Sequence, residues 1–381
     1  MTDELAVLLA HARHVPVPAR VRLAERLRAI RPEGSVLLET CHRVELYGPL
    51  AVLDELARWE PIPGVELEVG VEAARHAIRV AVGRDSAVVA EDQVLHQLRN
   101  SVQEARRRGP LTPGLDRLFD LALGSGRRAR SWLPARRPSL ADVALAEASG
   151  RRPIHPGPVL VVGAGMMGAL AARAVVAAGR SLVLANRTPQ RAMRLAAESG
   201  GTMTGLDPGA VELLGFAGVI VALSGPWLLA DASRGALVDG GAWIVDLSAP
   251  PAVPDELVRR LGPRFVSIDD LAREDDHTRP AALLTRLDAL VDETLVAYLD
   301  WTVRERQREA ASVLADRATE ARSAELADLW HRMPTLDPAA RAEVERMAER
   351  LSERLLRRPL ERLRQDDDGR HDRAARELFG L

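Results

Sequence analysis

Val159-Leu160-Val161-Val162-Gly163-Ala164-Gly165-Met166-Met167-Gly168 decides the fold of the middle of the chain. A short apolar run reads as a buried strand, and the glycines after it turn the chain into an Ala-rich stretch that ends at Gly179. Ser181 to Ala185 restores the strand pattern, so the spacing predicts a β-α-β unit with G-x-G-x-x-G at its first turn. Glycines there allow a tight turn and the close approach of a pyrophosphate, whose charge meets the free N–H groups of a helix start. Gly163, Ala164, Gly165, Met166, Met167 and Gly168 are therefore candidate cofactor-binding residues. The second strand ends in Asn186-Arg187-Thr188, with no carboxylate to hold a ribose 2′-hydroxyl. Arg187 suits a 2′-phosphate instead, which points to NADPH. Thr188 before Pro189 also reads as a helix N-cap and first helical residue.

Working outward, Gly218 to Leu223, Ala242 to Leu247 and Arg264 to Ile268 read as further strands, giving a doubly wound α/β domain. Asp246 and Asp269-Asp270 fall at strand ends, and the Asp pair reads as a helix cap. After Pro280 the pattern is helical: Leu283-Leu284, Leu287, Leu290-Val291 and Leu295-Val296 recur at helical steps, implying one long amphipathic helix. The tail, about Ala311 to Leu381, continues with stripes such as Leu326, Leu329 and Met333, which need a partner, most simply a second subunit. Before the glycine turn, Leu5 to Ala10, Val36 to Leu38 and Val65 to Val69 read as strands, and Ala19 to Ile30 and Leu50 to Trp59 as helices. A helix-rich region from Val71 to about Ala148 follows, then a Pro/Gly-rich linker from Arg151 to Pro158. The expected domains are 1–150, 151–278 and 279–381.

Composition narrows the chemistry. The chain has 381 residues, 28% of them charged and 47% hydrophobic, the balance of a multidomain globular protein. No apolar stretch long enough to span a bilayer occurs, and the acidic start is no signal peptide, so a cytoplasmic location without membrane contact is expected. One cysteine excludes an internal disulfide and a cysteine-based zinc site; the absence of lysine excludes a Schiff base. A net charge of −2 announces no nucleic-acid binder. Locally, however, Arg106-Arg107-Arg108, Arg127-Arg128, Arg130, Arg136-Arg137 and Arg151-Arg152 crowd together, as a phosphate-binding surface or a solvated helical face would.

The single cysteine lies in Glu39-Thr40-Cys41-His42-Arg43-Val44-Glu45-Leu46-Tyr47, directly after a strand. For chemistry on a carbonyl Cys41 is the candidate nucleophile, with Arg43 and the N–H groups of a turn expected to lower its pKa. A lone cysteine reads equally as an inert buried residue. His42 beside it could pair with the thiol as a base or simply pack. Further on, Arg75-His76 and the segment Asp85 to Gln97 supply Ser86, Glu91, Asp92, Gln93 and Gln97, of which Gln93 and Gln97 share a helical face.

Taken together, these motifs resemble the glutamyl-tRNA reductase family nearly end to end. The family's Ser-Thr-Cys-Asn-Arg-x-Glu-x-Tyr is similar to residues 39–47, and its Ser with Gly-Glu-x-Gln-Ile-Leu-Gly-Gln to Ser86 and Ala90 to Gln97. His76 falls where the family has an important histidine, ten residues before that serine. Departures are His42 for Asn, Glu39 for Ser, Ala90 and His96 for glycines, and Ser131-Trp132-Leu133-Pro134 for Thr-Glu-Thr and its following glycine.

The resemblance implies an α+β N-terminal catalytic domain, a Rossmann-type NADPH domain and an all-α dimerisation domain on a long spinal helix, paired as a homodimer. It implies attack of Cys41 on glutamyl-tRNA, a thioester, and reduction to glutamate-1-semialdehyde, the first step of five-carbon tetrapyrrole synthesis, with an aldehyde-accepting aminotransferase as a further partner. His76 would move a proton, while Thr40, His42, Arg43, Ser86, Glu91, Asp92, Gln93 and Gln97 would hold the glutamyl group, Arg43 facing its carboxylate. Competing readings are a diverged paralogue reducing another aminoacyl-tRNA or acyl ester, a non-catalytic tRNA- or enzyme-binding homologue, and a small-molecule dehydrogenase.

Overall fold

The computed structural model describes residues 4–59, 62–86, 88–133, 139–150, 157–273, 280–366 and 369–379. Residues 151–156 of the linker expected from Arg151 to Pro158, and the arginines at 136, 137, 151 and 152, lie outside the described residues. One compact unit runs from Met1 to Thr294 and a second from Leu295 to Leu381.

The first unit opens with an antiparallel sheet. Its strands are β1 (Leu5–His11), β2 (Val36–Glu39), β3 (Arg43–Pro49) and β4 (Glu66–Val69), in the order β2-β3-β1-β4. Helices α1 (Val17–Ile30) and α2 (Leu50–Trp59) lie between these strands in sequence. The reading above had missed β3, although Arg43-Val44-Glu45-Leu46-Tyr47 alternates polar and apolar as a half-buried strand should. That alternation builds the site. Val44 and Leu46 join Leu8, Leu23 and Leu27 in the core under α1, so Arg43, Glu45 and Tyr47 emerge together on the opposite face. Helices α3 (Val71–Val82), α4 (Asp92–Arg108) and α5 (Pro113–Arg130) follow, and α3 packs against β1, β4, α4 and α5.

Helix α6 (Leu140–Gly150), placed by sequence at the end of the first domain, packs in the second. Its Leu140, Ala141, Ala144 and Ala148 join the core of a parallel sheet because they form one apolar face against helix α7 (Met166–Ala177). That sheet contains β5 (Val159–Val162), β6 (Leu182–Ala185), β7 (Thr202–Met203), β8 (Gly218–Val221), β9 (Trp243–Asp246) and β10 (Phe265–Ser267). Helices α7 (Met166–Ala177), α8 (Pro189–Ser199), α9 (Ala210–Leu213), α10 (Asp231–Asp239), α11 (Asp255–Leu261) and α12 (Ile268–Arg273) intervene or follow. The strand order β10-β9-β8-β5-β6-β7 is that of a Rossmann sheet, reversing direction at β5, whose carboxyl end is the expected ligand crevice.

Helix α13 (Ala281–Arg332) is the long amphipathic helix expected, 52 residues in one piece. In the second unit its later turns meet α14 (Pro338–Arg364) and α15 (Arg370–Phe379) around Ala310, Ala311, Leu314, Leu363 and Ala375. Met347, Leu351 and Leu355, one helical turn apart on α14, remain exposed. Among the described residues no helix is long and apolar enough to cross a membrane.

Candidate active site

Cys41 sits in the turn between β2 and β3. Thr40 shapes that turn: its hydroxyl oxygen accepts the N–H groups of His42 (3.2 Å) and Arg43 (3.1 Å), leaving the hydroxyl hydrogen to donate elsewhere. Contrary to expectation, the thiol is not acidified. Burial, reinforced by the Glu91 carboxylate, pushes Cys41 up to about 12, although Arg43, Arg20 and a backbone hydrogen bond pull the other way. The cysteine is half-buried and packs against the core cluster of the nucleotide-binding domain.

His42 is no base for the thiol. Its Nε2–H donates to the Ile268 carbonyl at 2.9 Å, and burial, with Arg43 and Arg20, drives its pKa down to about 4, the Ile268 bond opposing. It is a neutral residue packed against the second domain.

On the face behind the turn, Glu45 is a buried hub. Its carboxylate accepts from Tyr47 Oη at 2.6 Å, His76 Nε2 at 2.9 Å and, more loosely, Arg43 at 3.4 Å. Burial would raise the Glu45 pKa, but the charges of His76 and Arg43 and the bonds from His76 and Tyr47 outweigh it and hold the group down to about 2. The same pairing acts on His76. Burial disfavours its charge, yet Glu45 and then Glu68, 3.9 Å from Nδ1, raise its pKa above the usual value. Pairing with Glu45 thus favours the protonated form of His76. Tyr47 meets Phe119 of α5 edge-on at 5.2 Å, closing the hub to water. Neither Glu45 nor Tyr47 was singled out from sequence, though both lie in the quoted motif.

The polar set from the second motif gathers near this face. Arg43 also donates to the Asp85 carbonyl at 3.1 Å, next to Ser86. Arg130 of α5 grips the Ala81 and Gly126 carbonyls at 2.8 and 2.9 Å and that of Glu91, fixing the start of α4. Burial lifts the Glu91 pKa to about 7, against the Leu140 N–H and the Arg130 charge. Arg43 Nε, Ser86 Oγ, Glu91 Oε1 and Gln93 Nε2 are all buried without a hydrogen-bond partner among the described residues. Such atoms are costly unless a ligand meets them. Gln97 lies on the Gln93 face of α4, whereas Asp92 points outward and pairs with Arg130 at 3.4 Å, outside the inward group. Of the glycine replacements, Ala90 adopts the left-handed conformation that glycine favours (φ 57°), anchored by its N–H to the Gly83 carbonyl at 2.9 Å. His96 is exposed beside Arg99 and Asn100. Among the described residues of the arginine-rich stretch, Arg106 pairs with Asp116 and Asp120, Arg107 with Glu104, and Arg128 with Glu293.

The glycine turn fits a dinucleotide. A Cβ on Gly163 (φ 119°) would lie 2.1 Å from the Ala222 oxygen, and one on Gly168 2.0 Å from the Gly163 oxygen. At Gly165, the residue before α7, a Cβ would meet nothing within 4 Å, leaving the side where a pyrophosphate approaches open. Asn186 accepts the Ala164 N–H at 3.1 Å and donates to the Thr188 carbonyl at 2.9 Å, tying this turn to the end of β6. Arg187 is exposed beside it. Thr188 takes the N-cap position before Pro189, but its hydroxyl makes no cap hydrogen bond. Asp246 spends its carboxylate on the N–H groups of Ser248, Ala252 and Val253. The expected Asp cap is half right: Asp270 caps α12 through Ser267, whereas Asp269 reaches back to α1.

Comparison with known proteins matches the same three parts. The family model for the N-terminal domain of glutamyl-tRNA(Glu) reductase covers residues 14–132 and that for its dimerisation domain residues 286–381. A protein of Kineococcus radiotolerans named glutamyl-tRNA reductase is 34% identical over 359 residues, covering 87% of this chain and 80% of that one. The chain belongs to the glutamyl-tRNA reductase family. Its middle, residues 145–274, matches the shikimate/quinate 5-dehydrogenase model, a dehydrogenase-type domain that implies a nicotinamide cofactor and an oxidoreductase. A family member from Aeropyrum pernix is 32% identical, covering 75% of this chain and 73% of its own. The structure of glutamyl-tRNA reductase from Methanopyrus kandleri aligns with a TM-score of 0.52 at 26% identity, over 99% of this chain and 98% of that one.

Proposed function

We propose that this chain reduces glutamyl-tRNA to glutamate-1-semialdehyde with NADPH through a thioester on Cys41, opening five-carbon tetrapyrrole synthesis. The observation that carries this reading is the set of orphaned polar atoms on Arg43, Ser86, Glu91 and Gln93, two N–H donors, a hydroxyl and a carboxylate oxygen, of which Glu91 and Arg43 act on the thiol. A glutamyl group answers it, its side-chain carboxylate accepting from Arg43 and Gln93 and its ammonium donating to Glu91.

That pairing also loosens the thiol. The ammonium offsets the Glu91 charge that helps to keep Cys41 protonated. Cys41 sulfur then attacks the ester carbonyl, the bond to the tRNA 3′-oxygen breaks, and the thiol proton leaves with the freed hydroxyl. The thioester stays electrophilic because sulfur donates less to its carbonyl than oxygen does. Gly163 to Gly168, with Arg187 at the 2′-phosphate, would hold the cofactor, which would supply a hydride when bound. His76, protonated on Glu45, is placed to give a proton on this face. The exposed apolar stripe of α14 is the dimerisation face of a homodimer, and the aldehyde product calls for an accepting aminotransferase.

Incubation with separately labelled aminoacyl-tRNAs, without NADPH, tests the reading. Glutamate label should remain on Cys41 and be absent from Cys41→Ser. Label from another amino acid would refute the substrate and keep the mechanism.

A further inference from the structure

Arg20 and Asp269 belong neither to the polar pocket nor to the glycine turn, yet they meet at the back of the nucleophile. Arg20 lies on α1 and is buried, with 3% of its side chain exposed. Its guanidinium donates to the Val15 carbonyl at 2.6 Å, the Cys41 carbonyl at 2.9 Å and the Asp269 carboxylate at 2.7 Å. Asp269 stands at the start of α12, directly after the last strand of the parallel sheet. Its other oxygen accepts the Val17 N–H at 3.2 Å, serving the start of α1 where Pro16 offers no capping side chain. One residue earlier, the Ile268 carbonyl takes the His42 imidazole at 2.9 Å.

Cys41 and His42, the two middle residues of the nucleophile's turn, are therefore fastened to residues 268 and 269 of the nucleotide-binding domain, one through Arg20 and one through its own ring. Cys41 also packs against that domain's core cluster. A buried ion pair adds little net stability over well-packed apolar side chains, but it fixes direction: each Asp269 oxygen has its own donor. Directional bonds that end on the Cys41 peptide hold the atom that must meet substrate on one side and cofactor on the other.

We propose that Asp269, acting through Arg20, is a positioning residue for Cys41, by which the nucleotide-binding domain fixes the turn that carries the nucleophile for reduction. Acylation needs only the catalytic domain's pocket; reduction needs the two domains in register. The consequence for the two half-reactions rests on the thioester reading above, whereas the consequence for thiol accessibility does not.

Two measurements on Asp269→Ala and Asp269→Asn test it, with circular dichroism to verify folding. Because Cys41 is the only cysteine, iodoacetamide uptake reports this thiol alone without substrate or cofactor. Uptake should rise about fivefold in Asp269→Ala as the turn loosens and water reaches the sulfur, and less in Asp269→Asn, which keeps an acceptor for Val17 N–H. In the second measurement, Cys41 is first acylated with labelled glutamyl-tRNA and then mixed with NADPH. Release of label should slow by about tenfold in Asp269→Ala while the acylation rate stays within about twofold. A merely structural role would depress acylation and reduction together, and that result overturns the proposal, as does an unchanged iodoacetamide rate in a folded variant. Should Asp269→Ala not fold, Asp269→Asn decides by the same criteria. Failure of the wild type to acylate sinks the thioester reading and leaves iodoacetamide uptake to judge Asp269.

Discussion

Two turns, Thr40 to Arg43 and Gly163 to Gly168, each follow a strand, yet they are built on opposite principles. The glycine turn is made of backbone: Gly163 and Gly168 leave no room for a Cβ, and its one side-chain strut is Asn186. The cysteine turn is held by side chains from distant parts of the chain, Arg20, Asp269 and His42, and backed by the Glu45 hub. A backbone-built site tolerates change around it and none within it. A site built from buried charges feels the loss of any one partner, because the charge left behind is uncompensated.

The largest break in this comparison should come at the hub. Glu45→Ala leaves Arg43 and His76 buried without their counter-charge and should cost about 3–5 kcal/mol in urea unfolding. The sign of the pH dependence follows from both partners. Glu45, held down to about 2 from 4.5, contributes stability that is present above 4.5 and lost as pH falls toward 2. His76, raised above 6.5, contributes stability that is full below 6.5 and lost as pH rises through its folded-state value. The deficit of Glu45→Gln relative to wild type should thus be greatest between pH 4.5 and 6.5 and shrink on either side. Next comes Gly168→Ala, whose methyl collides with the Gly163 oxygen and should weaken NADPH binding by about 1–3 kcal/mol in a fluorescence titration. Acylation of Cys41 should survive it; joint loss would show that the two turns are not independent.

Glu91→Gln is subtler: removing a negative charge that raises the thiol pKa should speed iodoacetamide uptake at fixed pH by about threefold, and a slower reaction would contradict the assignment. Smallest is Ala90→Gly. It relieves a left-handed alanine and should stabilise the fold by about 0.5 kcal/mol net of the added chain entropy, read as a higher melting temperature.

The same contrast explains what the sequence could disclose. Gly163-Ala164-Gly165-Met166-Met167-Gly168 was legible because strand, turn and helix are neighbours in sequence and each glycine answers a local steric demand. The long helix was legible from its period alone. For Cys41 only the position was readable. Its raised pKa arises from burial against another domain and from Glu91, fifty residues away, neither of which local spacing reveals. His42, beside the thiol, was open to either role, base or packing residue, and a carbonyl 226 positions on decides for packing. Strand β3 was overlooked for a different reason: its outward face carries Arg43 and Glu45, buried charges that imitate a loop until the hub pairs them. Helix α6 shows the limit of boundaries drawn on linker composition, since its small apolar face belongs to the sheet that follows it.

Asn186 and Arg187 are adjacent but carry separate duties. Asn186 braces the glycine turn with both ends of its amide, while Arg187 stands exposed at the rim. On the proposal that Arg187 meets a 2′-phosphate, cofactor preference and loop architecture rest on different side chains. The arginine is the natural point of entry for redesign toward a cofactor without a 2′-phosphate, because replacing it leaves the brace in place.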